Sequence, residues 1–160
     1  MPDLKLIALD AEDLAVLSAH LQDAVLRVGD LAYLKAKQRF ALVANRFDWA
    51  STAQSATKAK LEFKRRRAGL RFERVRNAQL HDVDLKNKEA ALELLAICWE
   101  AGPEPPEGFV TLHFAGGGAI RLHVECIEAE MKDLGAAWTT KLKPRHPDAP
   151  PDAGTSKKTS

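Results

Sequence analysis

The sequence is poor in several residue types and patterns on which common protein functions depend. It has two cysteines, too few for a disulfide framework and without paired metal-ligand spacing. No apolar run approaches the ~20 residues needed to span a bilayer, and the N-terminus lacks the pattern of a secretory signal. We therefore expect a soluble, cytoplasmic protein. Cys98 and Cys126 lie in apolar stretches and are predicted to be buried free thiols.

Sequence signatures of catalysis are also missing. No Gly-x-Ser-x-Gly elbow occurs, and no Cys–His signature surrounds either cysteine. The three glycines at 116–118 join two strand-like segments and do not open a helix, which favours a hairpin turn over a phosphate loop. These absences predict no cofactor and no bound metal, and they favour a binding protein over an enzyme.

Length and composition indicate one globular domain. The chain has 160 residues, of which 46% are hydrophobic and 29% charged. We assign this domain to residues 1–143. A mobile loop is predicted near residues 50–60, which hold no large apolar side chain. The Pro-, Ser- and Lys-rich segment 144–160 is predicted to be a disordered tail.

Helical patterns occur near both ends of the domain. After a strand-like segment at 4–9, Asp10 is placed to cap a helix, and apolar residues follow at helical spacing. They predict a helix over residues 11–25 and are Leu14, Leu17, Leu21 and Val25. A short closing helix is predicted at 127–134, ending at Gly135.

Strand patterns fill most of the remaining domain. Residues 32–34 and 39–47 read as two strands joined by a polar turn at 35–38. Further strand-like segments contain Leu70, Phe72 and Leu80. Residues 88–100 fit a helix or a strand, and we favour a helical turn at 87–91 that runs into a strand.

The segments 109–115 and 119–126 alternate between apolar and polar residues and predict a β-hairpin. With a three-residue glycine loop, each apolar residue of one strand faces an apolar residue of the other. The predicted pairs are Phe114–Ile120, Leu112–Leu122 and Val110–Val124. The opposite face collects Thr111, His113, Arg121, His123 and Glu125.

Together these elements predict an α+β fold. It comprises a bent antiparallel sheet of about six strands, an N-terminal helix and a short C-terminal helix. The sheet could form a roll or half-barrel, and pleckstrin-homology-like domains are one analogy for that shape.

Charge is unevenly distributed along the chain. Residues 58–76 hold nine basic and two acidic residues, although the whole chain has a net charge of +2. We name Lys64, Arg65, Arg66, Arg67, Arg71 and Arg74 as the candidate binding residues of this basic strip.

Three interpretations of the basic strip remain open. It could contact nucleic acid or an acidic protein, with Phe63, Phe72 or Trp49 available for stacking. It could be a solvated strand edge, where charge discourages aggregation. It could also pair with the acidic segments at 1–30 or 79–108, within one chain or between two.

The polar hairpin face is the alternative candidate site. In the predicted register His113 and His123 are diagonal neighbours, Glu125 lies one step further along, and Arg121 lies on the same face. Histidine and carboxylate suit metal or acid–base chemistry. A solvent-facing sheet surface with no function explains the same residues.

Five segments resemble a family of small bacterial proteins catalogued as domain of unknown function 2948. They are LKLIALD at 4–10, FALVANRFDW at 40–49, RRRAGLRFERV at 65–75, GGGAIRLHVECIEA at 116–129 and WTT at 138–140. The resemblance covers roughly the first 146 residues, which we take as one folded unit. It implies no activity, cofactor or catalytic residue.

We therefore predict a non-catalytic binding or adaptor module. Its basic strip would contact an acidic protein or nucleic acid, and no membrane. The alternative is a small enzyme or metal-dependent protein built on the polar hairpin face. The sequence leaves the oligomeric state open.

Overall fold

The computed structural model describes residues 4–47, 62–135 and 138–141, and only the backbone of 62–64 and 138–141. The predicted loop at 50–60 and tail at 144–160 lie outside these residues. The described residues form one α-helix, α1 (Ala11–His20), and eleven strands. The strands are β1 (Lys5–Ala8), β2 (Val25–Arg27), β3 (Leu31–Leu34), β4 (Arg39–Phe47), β5 (Glu62–Phe72), β6 (Val75–His81), β7 (Ala91–Ala101), β8 (Gly108–Phe114), β9 (Ala119–Val124), β10 (Ala129–Asp133) and β11 (Trp138–Lys141).

All strand pairs are antiparallel and belong to one open sheet. The strands lie in the order β1-β10-β5-β4-β2-β7-β8-β9-β6, with β3 beside β4 and β11 beside β5. The predicted antiparallel sheet with an N-terminal helix is confirmed. The predicted count of about six strands is wrong, and the single described helix makes the protein mostly β.

Helix α1 begins where the sequence predicts. The Asp10 side chain accepts a hydrogen bond from the Asp13 backbone N–H at 2.8 Å, which satisfies one of the first free N–H groups. The helix ends at His20 instead of residue 25. The reason is pairing with β7: the Asp23 N–H donates to the Leu94 carbonyl at 2.7 Å. The chain that follows therefore enters β2.

The core lies on the inner face of the sheet, against α1. Helix α1 contacts β1 and β7, and its buried residues Leu14 and Leu17 join the main core cluster. The inner rows of β4 and β5 pair Phe40 with Phe72 and Leu42 with Leu70. Because side chains alternate between the two faces along a strand, the residues of β4 and β5 that lie between these inner residues point to the outer face.

The predicted closing helix at 127–134 is wrong. Residues 129–133 form β10 between β1 and β5. Ala129, Met131 and Asp133 are buried, whereas Glu130 and Lys132 alternate toward the outer face. Because Asp133 is a buried charge, this alternation cannot be recognised as apolar–polar from sequence.

The ambiguous segment 88–100 is a strand from Ala91 onward. Two consecutive turns precede it, closed by hydrogen bonds from Asn87 N–H to Asp84 O at 3.2 Å and from Ala90 N–H to Asn87 O at 3.1 Å. The predicted helical turn at 87–91 is therefore a β-turn leading into β7.

The β8–β9 hairpin is confirmed, but its register differs by two residues from the prediction. Val110 pairs with Leu122 and Leu112 with Ile120. The Phe114 N–H bonds to the Gly118 carbonyl at 2.9 Å, which closes a three-residue loop at 115–117, one residue before the predicted loop at 116–118. A shift of two residues keeps each side chain on its predicted face, because the strand repeat is two.

Candidate functional site

Strand β5 distributes the basic strip over both faces of the sheet. It lies inside the sheet, between β4 on one side and β10 and β11 on the other, so the interpretation as a strand edge is wrong for β5. That interpretation holds for Arg76, which lies on β6 at the end of the strand order. Arg66 points to the inner face, and Arg65, Arg67 and Arg71 point to the outer face. The Lys64 side chain is outside the described part.

The inner arginines surround one buried carboxylate. Arg46 and Arg66 are opposite each other on β4 and β5, and both are at most 4% exposed. The Arg46 Nε and Nη2 atoms donate to the two oxygens of Asp133 at 2.9 and 3.0 Å. Asp133 also accepts the Leu4 backbone N–H at 2.8 Å, and the Arg66 Nε lies 3.9 Å from it. This cluster joins β1, β4, β5 and β10.

Carboxylates of the same chain neutralise three exposed arginines. Ion pairs join Arg71 to Glu73 and Glu130, Arg74 to Glu125 and Glu128, and Arg76 to Glu125. The hydrogen bond and charge of Glu128 raise the pKa of Arg74 above its ordinary value. Intramolecular pairing was one of the three interpretations, but these acids come from outside the segments 1–30 and 79–108.

A net positive charge remains on the outer face of β1, β10, β5 and β4. We call this surface the basic face. Apart from the buried Arg65, its charged members are the cations Lys5, Arg39, Arg67, Arg71 and Lys132 and the carboxylates Glu73 and Glu130. Five cations against two carboxylates give a net charge of +3. Among the described residues, Arg67 and Lys132 have no carboxylate partner, and both are exposed.

The two unpaired cations flank a glycine. Lys132 is directly opposite Gly69, and Arg67 is two residues before Gly69 on the same strand, so the cations are diagonal neighbours. Gly69 carries no side chain to fill the space between them. Leu134, which is 49% exposed, lies 3.3 Å from the position that a Cβ of Gly69 would occupy. The surface thus combines positive charge with accessible apolar atoms.

Arg65 is the exception on the outer face, because it is buried. It is 2% exposed, and its guanidinium lies 4.3 Å from the centre of the Phe47 ring. Its Nη2 donates to the Asn45 carbonyl at 3.0 Å. Within the described residues, its Nη1 and the Asn45 Oδ1 are buried without a hydrogen-bond partner. Burial lowers the pKa of Arg65 to about 10.

The polar hairpin face does not bring its two histidines together. His113 pairs with Ala119, and His123 pairs with Phe109 four residues further along β8, so the predicted diagonal contact is wrong. The His123 ring stacks on Phe109 at 5.0 Å, and its Nε2 bonds to Glu107. Glu125 turns away to Arg74 and Arg76.

An open depression of about 590 Å³ lies on the same face, around Ala119. Its lining includes Gln79, His81, Thr111 and Arg121. The Arg121 guanidinium lies 3.8 Å from the centre of the Phe109 ring. In the described residues, no group of three or more His, Cys, Asp or Glu side chains could hold a metal ion.

Cys98 opens onto this polar face and is exposed, so the prediction of a buried thiol is wrong. Cys126 is half-buried. In the part of β7 around Cys98, the inner residues are Ile97 and Trp99, and Cys98 points outward between them.

Sequence reasoning missed three residues at the charged end of the β4–β5 ribbon: Asn45, Arg46 and Asp133. Parity along β4 was an available signal for Arg46. It follows Phe40, Leu42 and Ala44 at intervals of two residues, which places it on the inner face. No such signal exists for Asp133, because its strand was taken for a helix.

The structure thus defines a class: a protein built mostly of one open antiparallel sheet, with one α-helix among the described residues. Residues 4–146 match the family described as Protein of unknown function (DUF2948). Because the match covers most of the chain, the protein belongs to that family, as the resemblance predicted. Neither the curated proteins nor the solved structures contain a match, so the analogy with pleckstrin-homology-like domains stays a prediction. In the described ranges, no helix is both long and apolar enough to cross a bilayer.

Proposed function

We propose that this protein is a non-catalytic binding module whose basic face recognises an acidic segment of another protein. One observation carries the proposal. Ion pairs within the chain occupy the arginines at 71, 74 and 76, whereas Arg67 and Lys132 stay exposed with no carboxylate partner in the described structure. Unpaired cations on a net positive surface attract an acidic partner and increase its association rate.

The composition of the face favours an acidic protein segment over nucleic acid. Glu73 and Glu130 lie among the cations and interrupt the continuous positive track that a phosphate backbone would follow. Phe72, one of the predicted stacking residues, is 1% exposed and belongs to the core. The Trp49 and Phe63 side chains lie outside the described residues. Exposed Ile7 and Leu134 offer apolar contacts that suit a peptide.

The experiment compares a fluorescent glutamate–leucine peptide with a lysine–leucine peptide of equal length and with single-stranded RNA. Anisotropy is measured over a range of salt concentrations. We expect the glutamate–leucine peptide to bind best and to weaken as salt rises. In Arg67→Glu/Lys132→Glu, its Kd should rise about tenfold or more, because tenfold corresponds to about 1.4 kcal/mol over two reversed charges.

A matched control removes the effect of net charge. Lys86→Glu/Lys88→Glu changes the charge by the same amount on an exposed turn that contains no residue of the basic face. This variant should bind the peptide like the wild type. An equal loss of peptide affinity in both variants would show that the overall charge of the protein, and not the basic face, determines binding. If RNA alone binds tightly and Arg67→Glu/Lys132→Glu loses that binding, the partner is nucleic acid and not an acidic protein segment.

The alternative function uses the depression around Ala119. Its lining of Gln79, Thr111 and Arg121 would suit a small polar ligand, and an enzyme built on the polar hairpin face would act here. Thr111→Val and Arg121→Gln test this alternative. A small-molecule screen by thermal shift should give hits on the wild type that both substitutions abolish. Hits that persist in both variants would place the ligand elsewhere.

A further inference from the structure

The guanidinium of Arg65 is buried and has no carboxylate neighbour among the described residues. Its contacts in the described structure are the Asn45 carbonyl, at 3.0 Å from Nη2, and the Phe47 ring, at 4.3 Å. Arg46 on the inner face of the same ribbon differs, since Asp133 neutralises it. Burying an unpaired charge is strongly unfavourable, and a buried donor without an acceptor adds to that penalty.

The orphaned polar atoms belong to residues that are diagonal neighbours on one face of the ribbon. Arg65 is opposite Phe47, and Asn45 is two residues before Phe47 on the same face of β4. Because Nη2 already bonds to the Asn45 backbone, the guanidinium lies over that residue. The Asn45 Oδ1 is buried and unpartnered as well. Half a turn of the Asn45 amide would replace Oδ1 by Nδ2 and add a second donor beside Arg65 Nη1.

An exposed arginine, Arg67, borders this position. Arg67 is directly opposite Asn45 and is exposed. The outer face of the ribbon therefore places Arg67 directly opposite Asn45 and Arg65 diagonal to it. Arginine forks and amide N–H groups are the donors that proteins use for carboxylate and phosphate oxygens.

We infer that Arg65, Asn45 and Arg67 form a binding site for a small oxyanion, with the Nη1 of Arg65 as its buried donor. The oxyanion would neutralise the buried charge and accept a hydrogen bond from the free Nη1–H of Arg65. It would also hold the Asn45 amide with its Nδ2 donor toward the anion. The site does not depend on an acidic protein partner. A free phosphate and a small carboxylate share the required chemistry.

The test measures the melting temperature against inorganic phosphate, and separately against acetate, with chloride adjusted to constant ionic strength. A ligand at one hundred times its Kd raises the melting temperature by roughly 5–10 °C for a chain of this size. We expect that response in the wild type with at least one of the two anions. The anion with the larger response identifies the source. No response to either anion would overturn the inference.

Arg65→Met separates a binding site from a purely structural arginine. Methionine fills similar volume without charge, so without phosphate this variant should melt at or above the wild-type temperature and lose the anion response. A lower melting temperature with the response retained would overturn the inference. If Arg65→Met does not fold, the Arg65 guanidinium N–H resonance, assigned with Arg65→Lys, should shift with phosphate in the wild type, and an unshifted resonance would overturn it.

Lys132→Glu keeps this inference distinct from the proposed function. Lys132 lies on the basic face and is not part of the oxyanion site. This variant should lose affinity for the glutamate–leucine peptide and keep its response to phosphate. If Lys132→Glu loses both the peptide affinity and the response to phosphate, both depend on the overall charge of the surface. That result would overturn the separate oxyanion site.

Discussion

Arg46 and Asp133 form a two-point ion pair at the end of the core, with Nε and Nη2 of the arginine 2.9 and 3.0 Å from the two carboxylate oxygens. The residues are distant in sequence and lie on strands that β5 separates. Both side chains are almost fully buried, at 3% and 0% exposure. The pair therefore links β4 to β10 across β5, at the polar end of the core.

Asp133→Asn should lower the free energy of unfolding by about 3–5 kcal/mol, because Arg46 would remain buried without its counter-charge. Urea denaturation measures this loss. Glu130→Gln on the same strand is the control and should lose at most about 1 kcal/mol, since its ion pairs lie at the surface. Equal losses in the two variants would contradict a special role for the buried pair.

Gly108→Ala should destabilise the hairpin sheet by about 1–3 kcal/mol. A Cβ at this position would collide with the Trp99 ring and lie 2.6 Å from the Glu100 carbonyl oxygen. Tryptophan fluorescence should shift as the ring moves. Gly135→Ala is the control, because no atom lies within 4 Å of its added Cβ. An unchanged spectrum and unchanged stability in Gly108→Ala would contradict this packing.

Asp10→Ala should reduce stability by about 1 kcal/mol through loss of the N-cap of α1. The capping is reciprocal: Asp10 accepts from the Asp13 N–H, and the Asp13 carboxylate accepts from the Leu9 N–H at 3.1 Å. Asp10→Asn retains a cap and should lose much less. If the asparagine variant is as unstable as the alanine variant, charge and not capping explains the loss.

Cys98 should react with a thiol reagent in the folded protein faster than Cys126, because its side chain is exposed. The rate of reaction with a chromogenic disulfide measures this difference. Cys98→Ser should remove the fast phase, and Cys126→Ser should leave it. If a fast phase appears only after denaturation, the outward orientation of Cys98 is wrong.

Much of the sheet could be predicted from sequence because its local patterns are unambiguous. The apolar alternation in β8 and β9 determines which residues face the core, and Asp10 marks the start of α1. The exact hairpin register could not be predicted, because a shift of two residues leaves every apolar side chain on the same face. The position of the turn, at 115–117 or at 116–118, decides between the two registers, and the glycines accommodate either.

The candidate site was only partly predictable. The concentration of basic residues in β5 is visible in the sequence. Their division between the two faces can be predicted only when the bounds of the strand and its place in the sheet are known. Apart from Glu73 in the turn after β5, the acids that neutralise it come from β10 and the turn before it, and β10 was read as a helix. Long-range pairing with β1 and β5 overrides the helical spacing of residues 127–134.

Amide chemical-shift mapping with the glutamate–leucine peptide is the most direct test of the basic face as a contact surface. We predict that shifts concentrate at Arg67, Gly69 and Lys132 and diminish toward Thr111 and Ala119 on the other half of the sheet. Shifts centred on the depression around Ala119, or none at low salt, would contradict the proposed function.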